Sequence, residues 1–504
     1  MSAATSAAVL IGIDIGTSAT KVLACSSTGE AFATAARAYA LRTPRPESVE
    51  LDADEVLGAA AEALREVLAT CNARAPVVAI GFSCAMHGIV PVDARGAPLG
   101  PLVTWLDRRS AEIAERWRRD GTAAAMYART GAPVHPMLPS CKLRWFAEND
   151  ASLVQRAAKF VSLKELLVYR WTGEWLVDWG IASGTGLFDV RERVWDRGAL
   201  EAAQIEATKL SELAAPSKTL ALHAGVARNL GLEANVRVVL SSSDGALANL
   251  GVGALHAGQF ALTLGTSGAL RVVVDEPYLD PQARTFCYAY DDRRYIVGGA
   301  TSSAGAVLEK LQEWFLCGVP ARERFERTLA LIADVPIGAH GVTVAPFLSG
   351  ERAPYWRAGL HGVIAGLELS HMPRDILRAA FESVAFALCS VYDVLRERLP
   401  APQRLRLSGG LTHAPFVRQL VADVFACEAM LTNQPEASAF GAAMSAGLAT
   451  GFVADEQHVV ASLEPVYVHA PQAAAVAPYA TAYARYAQVA NAALSLETES
   501  DAGG

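Results

Sequence analysis

The chain has 504 residues, too many for one ordinary hydrophobic core, so two large domains are expected. Apolar residues make up 52% and charged residues 19%, a globular balance that argues against a disordered chain. The net charge of −8 comes without a basic block, which argues against a nucleic-acid partner.

The chain opens MSAATSAAVL, with no charged n-region, and runs straight into a strand. That is not the pattern of a signal peptide. VLIGIDI, 9–15, reads as a buried strand, and 20–25 as a second. Between them, Gly16-Thr17-Ser18 forms a tight hairpin-like turn in which Gly16 supplies backbone freedom. LDADEVLGAAAEALREVLATC reads as a helix with a capping box from Asp52 and Glu55. Its apolar face is Val56, Leu57, Ala60, Leu64, Val67 and Leu68. VVAIGFSCAMHGIVPVD returns to strand, giving a βββαβ-like start.

FALTLGTSGALRVVV, 260–274, repeats the strand–GTS–strand pattern. A strand at 294–299, a helix from about 302, VTVAPFLSGERAPYW, and a long helix from Pro373 follow. The strand RLRLSGG and a helix from Pro415 come next. We expect domains at 1–254 and 255–455, then a tail over 456–504 with a closing helix and a polar end, ETESDAGG, that frays. ASAFGAAMSAGLATGFVA, 437–454, is too weakly apolar for a membrane span. The eight cysteines show no CxxC pair or zinc spacing, as expected of reduced core thiols in a cytoplasmic protein.

Two related α/β domains, each opening on a GTS hairpin, suggest an internal duplication. Turns of small residues can direct N–H and hydroxyl donors at phosphate oxygens. Thr17, Ser18, Thr266 and Ser267 are the phosphate candidates, with Lys21 either reaching a phosphate or standing as a solvated strand lysine. No GxxxxGK[ST] is present, and GVGALHAG at 251–258 lacks dinucleotide-fingerprint spacing. The ten histidines show no HExxH or other metal spacing.

Two long signatures carry a resemblance that covers about 9–490. MLPSCKLRWFAEN, 137–149, and GVIAGLELSHMPRDILRAAFE, 362–382, resemble the two patterns of the FGGY carbohydrate kinases, within the actin-like ATPase superfamily. The resemblance implies two ribonuclease-H-like α/β domains with an interdomain cleft, ATP and Mg2+ as cofactors, and a small sugar or sugar acid as partner. It leaves room for a homodimer. GAPVHPMLPSCKL, DWGIASGTGLFD, SSSDGALANLG and GERAPYW are most similar to bacterial gluconokinases, whereas AMHG, 85–88, also suits xylulokinases. Gly245 follows Asp244, where a xylulokinase usually carries Asn. A more remote alternative is an actin-like ATPase without a sugar acceptor.

Phosphoryl transfer to an alcohol needs charge neutralisation, positioning, a proton acceptor and exclusion of water. Asp14, ending a buried strand beside the first GTS, suits a magnesium ion or its waters; the alternative is a turn aspartate bonding its own backbone. Asp244, after VRVVLSSS, lies where α/β folds bind ligands. The resemblance makes it the general base, and a helix N-cap is the alternative. It also implies nucleotide contacts at Gly305 and an adenosine-binding turn at Gly409 and Gly410. The sugar would meet Met86, His87 and Met137, with Trp105, Asp107 and Arg108 as weaker candidates. A gluconate carboxylate would face Arg108, Lys142 or Arg352, which spacing does not separate.

Overall fold

The computed structural model describes residues 8–71 and 74–501. The opening residues 1–7 and the last three of ETESDAGG lie outside the described residues. The closing helix expected in the tail runs Ala473–Asp501.

The chain forms two compact units. The first gathers 1–255, 273–297 and 434–464; the second gathers 256–272, 298–433 and 465–504. This differs from the contiguous division expected, because 434–464, assigned by sequence to the second domain and the tail, packs in the first unit. The helix Ala437–Thr450 explains why. A Cβ on Gly12 would meet Ala439 O at 1.8 Å, one on Gly81 would meet Ala442 O at 2.1 Å, and one on Gly251 would meet Ala437 O at 1.9 Å. The Ala/Gly/Ser composition thus serves direct backbone-on-backbone packing. No helix among the described residues is long and apolar enough to cross a membrane.

The first unit is built on a six-stranded sheet in the order Thr219–Ala221, Arg237–Val239, Val77–Cys84, Val9–Ile15, Ala19–Ser26, Ala31–Ala38. Val9–Ile15 pairs antiparallel with the next strand and parallel with Val77–Cys84, so Asp14 faces Lys21 on one side and Ser83 on the other. The helix Ala53–Cys71 buries Val56, Leu57, Ala60, Leu64, Val67 and Leu68, as the periodicity predicts. Asp52 caps it by accepting the N–H groups of Asp54 and Glu55. Glu55 turns instead to Arg42, so half of the expected capping box is used.

The second unit repeats the pattern. Adjacent strands run Gly268–Val274, Gln259–Leu264, Arg404–Ser408, Ala429–Thr432, Pro465–His469. The hairpin is antiparallel, the next two pairings are parallel, and the edge strand is antiparallel. The first sheet has the same sequence of pairings from Ala19–Ser26 to Thr219–Ala221. The helix Pro373–Leu395 is buried from Leu377 through Val391, with Phe386 against Tyr479, Tyr483 and Tyr486. Seven of the eight free cysteines are buried; Cys317 is exposed.

Candidate active site

In the first unit, paired strands and two helix starts bring Asp14, Lys21, Asp244 and Glu436 into one electrostatic neighbourhood. Ser83 Oγ donates to Asp14 Oδ1 at 2.6 Å. Burial pushes the Asp14 carboxyl up to about 6; the Ser83 hydrogen bond opposes this, the nearby Asp244 and Glu436 charges add to it, and Lys21 offsets them. Burial does most of this, with the two neighbouring acids adding to it, and a hard dication would offset both by favouring the carboxylate form, so the oxygen donors fit one. No cluster of three or more metal-binding side chains occurs among the described residues.

Lys21 Nζ pairs with Glu436 Oε2 at 2.7 Å. The Lys21 side chain is 42% exposed, so its ammonium stands at the surface beside the first turn with a carboxylate as partner. Sequence reasoning missed Glu436: it is 415 residues from Lys21, at the start of a helix with no local motif.

Asp244 is the first residue of the helix Asp244–Val252, and its cap is Ser243, whose Oγ accepts from Ala246 N. The N-cap alternative for Asp244 therefore falls to its neighbour. Asp244 Oδ1 accepts the Gly245 N–H at 2.8 Å.

A small recess joins the first GTS turn, through Gly16 and Thr17, to Met86, Thr104 and Trp105. Trp105 Nε1 donates to Thr17 Oγ1 at 2.8 Å. Ser18 is exposed. His87 is held at φ 68°, and its Nδ1–H donates to Gly184 O at 2.6 Å. Because a carbonyl only accepts, the neutral ring carries its acceptor at Nε2. Met137 is buried.

Lys142 is fully buried, and its Nζ donates to His87 O and Thr104 O, both at 2.7 Å. Burial pulls its pKa down to about 7, against the attraction of Asp107. It pins the AMHG and TWLDRR segments together. Arg352, in the second unit, is likewise buried and donates to Thr301 O at 2.6 Å. Arg108, by contrast, is exposed. Asp107 is buried, accepting from Val49 N and from Arg109. Those bonds make it a clamp for its own loop, where the sequence reading offers it as a weaker sugar contact.

In the second unit the GTS turn, Gly305 and Gly409 come together. Gly305 N donates to Gly265 O at 3.0 Å, and Ala306 N to Thr266 O at 3.1 Å. A Cβ on Gly305 would lie 2.7 Å from Gly265 O. Gly409, at φ +93°, would place a Cβ 2.4 Å from Leu264 O, whereas Gly410 has open space. Thr266 is exposed and Ser267 half-buried. Glu351, inside GERAPYW, was not singled out by sequence. It accepts from Ser303 Oγ at 2.7 Å and so fixes the segment entering the Gly305 helix.

Two α/β units with duplicated GTS hairpins, and acids gathered beside the first, describe a phosphotransferase of the actin-like ATPase type. The chain belongs to the FGGY family of carbohydrate kinases: the N-terminal domain of that family matches residues 9–251 and the C-terminal domain residues 260–450. It is 32% identical over 479 residues to a gluconokinase of Bacillus subtilis (strain 168), covering 92% of this chain and 91% of that one. Among solved structures it is similar to gluconate kinase from Lactobacillus acidophilus, with a TM-score of 0.90 and 29% identity over 97% of this chain and 98% of that one. It is also similar to ligand-bound xylulose kinase from the same organism, with a TM-score of 0.90 and 28% identity over 96% and 98%.

Proposed function

We propose that this carbohydrate kinase transfers the γ-phosphoryl group of ATP to the 6-hydroxyl of D-gluconate, giving 6-phosphogluconate and ADP. The observation that carries the chemistry is the Asp14–Asp244 neighbourhood beside the first GTS turn. Asp244 accepts the hydroxyl proton. Proton loss is late in a loose transition state, so orientation of this carboxylate matters more than its basicity. Asp14, with Asp244 beside it, would hold magnesium or its waters; the ion, when bound, neutralises charge on the phosphates. Thr17, Ser18, Thr266 and Ser267 donate to phosphate oxygens. Gly305, Gly409 and Gly410 allow close approach of the nucleotide to the backbone.

Met86, His87, Met137 and Trp105 orient the sugar. Arg108 is the cation proposed for the gluconate carboxylate, being the exposed one of the three candidates. Substrate choice rests on the gluconokinase relative. Xylulose is the second reading, favoured by AMHG and by an equal TM-score to a xylulose kinase.

The test is ADP release from ATP and magnesium against D-gluconate, D-xylulose, D-ribulose, L-ribulose, glycerol and no acceptor. Gluconate is expected to give the fastest turnover. Preference for xylulose overturns the substrate, and equal release without acceptor overturns the kinase reading in favour of an ATPase. Asp244→Asn is expected to lower kcat by about 10³-fold. Unchanged turnover in a folded variant would remove Asp244 from the mechanism.

A further inference from the structure

The first unit contains a fully buried ion pair that the chemistry above does not use. Lys164 Nζ lies 2.7 Å from Asp178 Oδ2, with the two side chains 2% and 1% exposed. Lys164 is the second residue of the helix Leu163–Thr172, fixed by a reciprocal capping box between Ser162 and Glu165. Asp178 ends a short strand and caps the turn of helix Trp179–Ser183 through the Ile181 N–H. Burying such a pair is costly and is poor evidence for stabilisation, so its partners matter more.

Those partners lie on the segment that carries Asp244. Lys164 Nζ also donates to Ser242 O at 2.9 Å, two residues before Asp244. Gly180 packs on the same segment: a Cβ there would stand 2.1 Å from Ser242 Oγ, 3.0 Å from Asp178 Oδ1 and 3.3 Å from Ser243 N. Ser241 is held at φ 55°, a conformation that β-carbon-bearing residues rarely adopt. At the other end of the same stretch, Gly184 O receives the His87 Nδ1–H. Residues 178–184 therefore touch both the Asp244 segment and the AMHG segment.

We propose that Lys164 and Asp178 form a positioning dyad. It sets the orientation of Asp244, and through residues 178–184 its spacing from His87, without touching substrate. The proposal rests on the reading of Asp244 as the base. Misplacement of a catalytic group by about 1 Å costs about 100-fold in rate.

The test compares Lys164→Met/Asp178→Asn, which removes both charges at similar volume, in the wild-type and Asp244→Asn backgrounds, with thermal melts to verify folding. The expected result is a kcat lowered about 100-fold with KM for ATP unchanged, and no further loss when Asp244 is already Asn. A folded variant with wild-type kcat overturns the dyad. So does an equal fold-loss in both backgrounds, which marks a general structural role. Should Asp244→Asn itself retain full turnover, the base reading fails and the dyad falls with it; if Asp244→Asn is impaired and the dyad variant is not, the dyad alone is wrong. If the double variant does not fold, Gly180→Ala, which presses on both Ser242 and Asp178 Oδ1, is expected to show the same kcat loss. Full activity of that folded variant overturns the proposal.

Discussion

The two GTS hairpins superimpose in pattern but not in chemistry. In the first, Asp14 precedes Gly16 by two residues and sits opposite Ser83 on the parallel neighbour strand. In the second, Thr263 precedes Gly265 by two residues and sits opposite Ser408. The cross-strand bond is kept: Ser83 to Asp14 at 2.6 Å, and between the Thr263 and Ser408 hydroxyls at 2.9 Å. A carboxylate in one copy is a hydroxyl in the other. The second turn is instead closed by the start of the Gly305–Phe315 helix, whose first N–H groups bond to Gly265 O and Thr266 O. One duplicated scaffold thus supplies charge in one copy and close backbone approach in the other.

The comparison breaks most directly at Asp14. Asp14→Asn removes the charge that the second copy lacks, and is expected to lower kcat by about 10²–10³-fold. Steady-state kinetics with saturating gluconate and ATP check this; a loss under threefold would mean that the acid in the first copy is dispensable. The distinction sharpens at Gly305. Gly305→Ala sets a Cβ against the Gly265 carbonyl and is expected to weaken nucleotide binding about 10-fold, about 1.4 kcal/mol, without changing KM for the acceptor. Titration with a fluorescent ADP analogue measures it.

The same charge should leave a stability signature. Asp14 is raised from an ordinary 3.8 to about 6, so between those values the folded state binds the proton and the unfolded state does not. Stability contributed at low pH is therefore lost as pH rises through that window, by about 3 kcal/mol in the ligand-free protein. Thermal melts at pH 4.5 and 7.5 are expected to show Asp14→Asn gaining stability over wild type at the higher pH, and magnesium with nucleotide narrowing that gap. The smallest effect is expected at Thr263→Val, which removes the hydroxyl bond to Ser408 and one from Arg271. It is expected to cost about 1–2 kcal/mol of stability while leaving kcat within a few-fold. A large kcat loss would mean that the two copies share more chemistry than their residues suggest.

The sequence by itself determined the elements and the family. Periodicity marked the Ala53–Cys71 and Pro373–Leu395 helices, because an apolar face repeats locally along the chain. The paired GTS turns and the two signatures marked the duplicated kinase fold, since a turn and its flanking strands are specified by adjacent residues. Tertiary structure decided what lies far apart in the chain. Lys21 meets Glu436, and the 437–450 helix joins the first unit through glycines that admit its backbone. Lys142 and Asp107, which by type alone could face a sugar, are turned inward to carbonyls and an arginine. A side chain's type states which bonds it can make, but only the packing around it decides whether a ligand or the protein itself is on the other end.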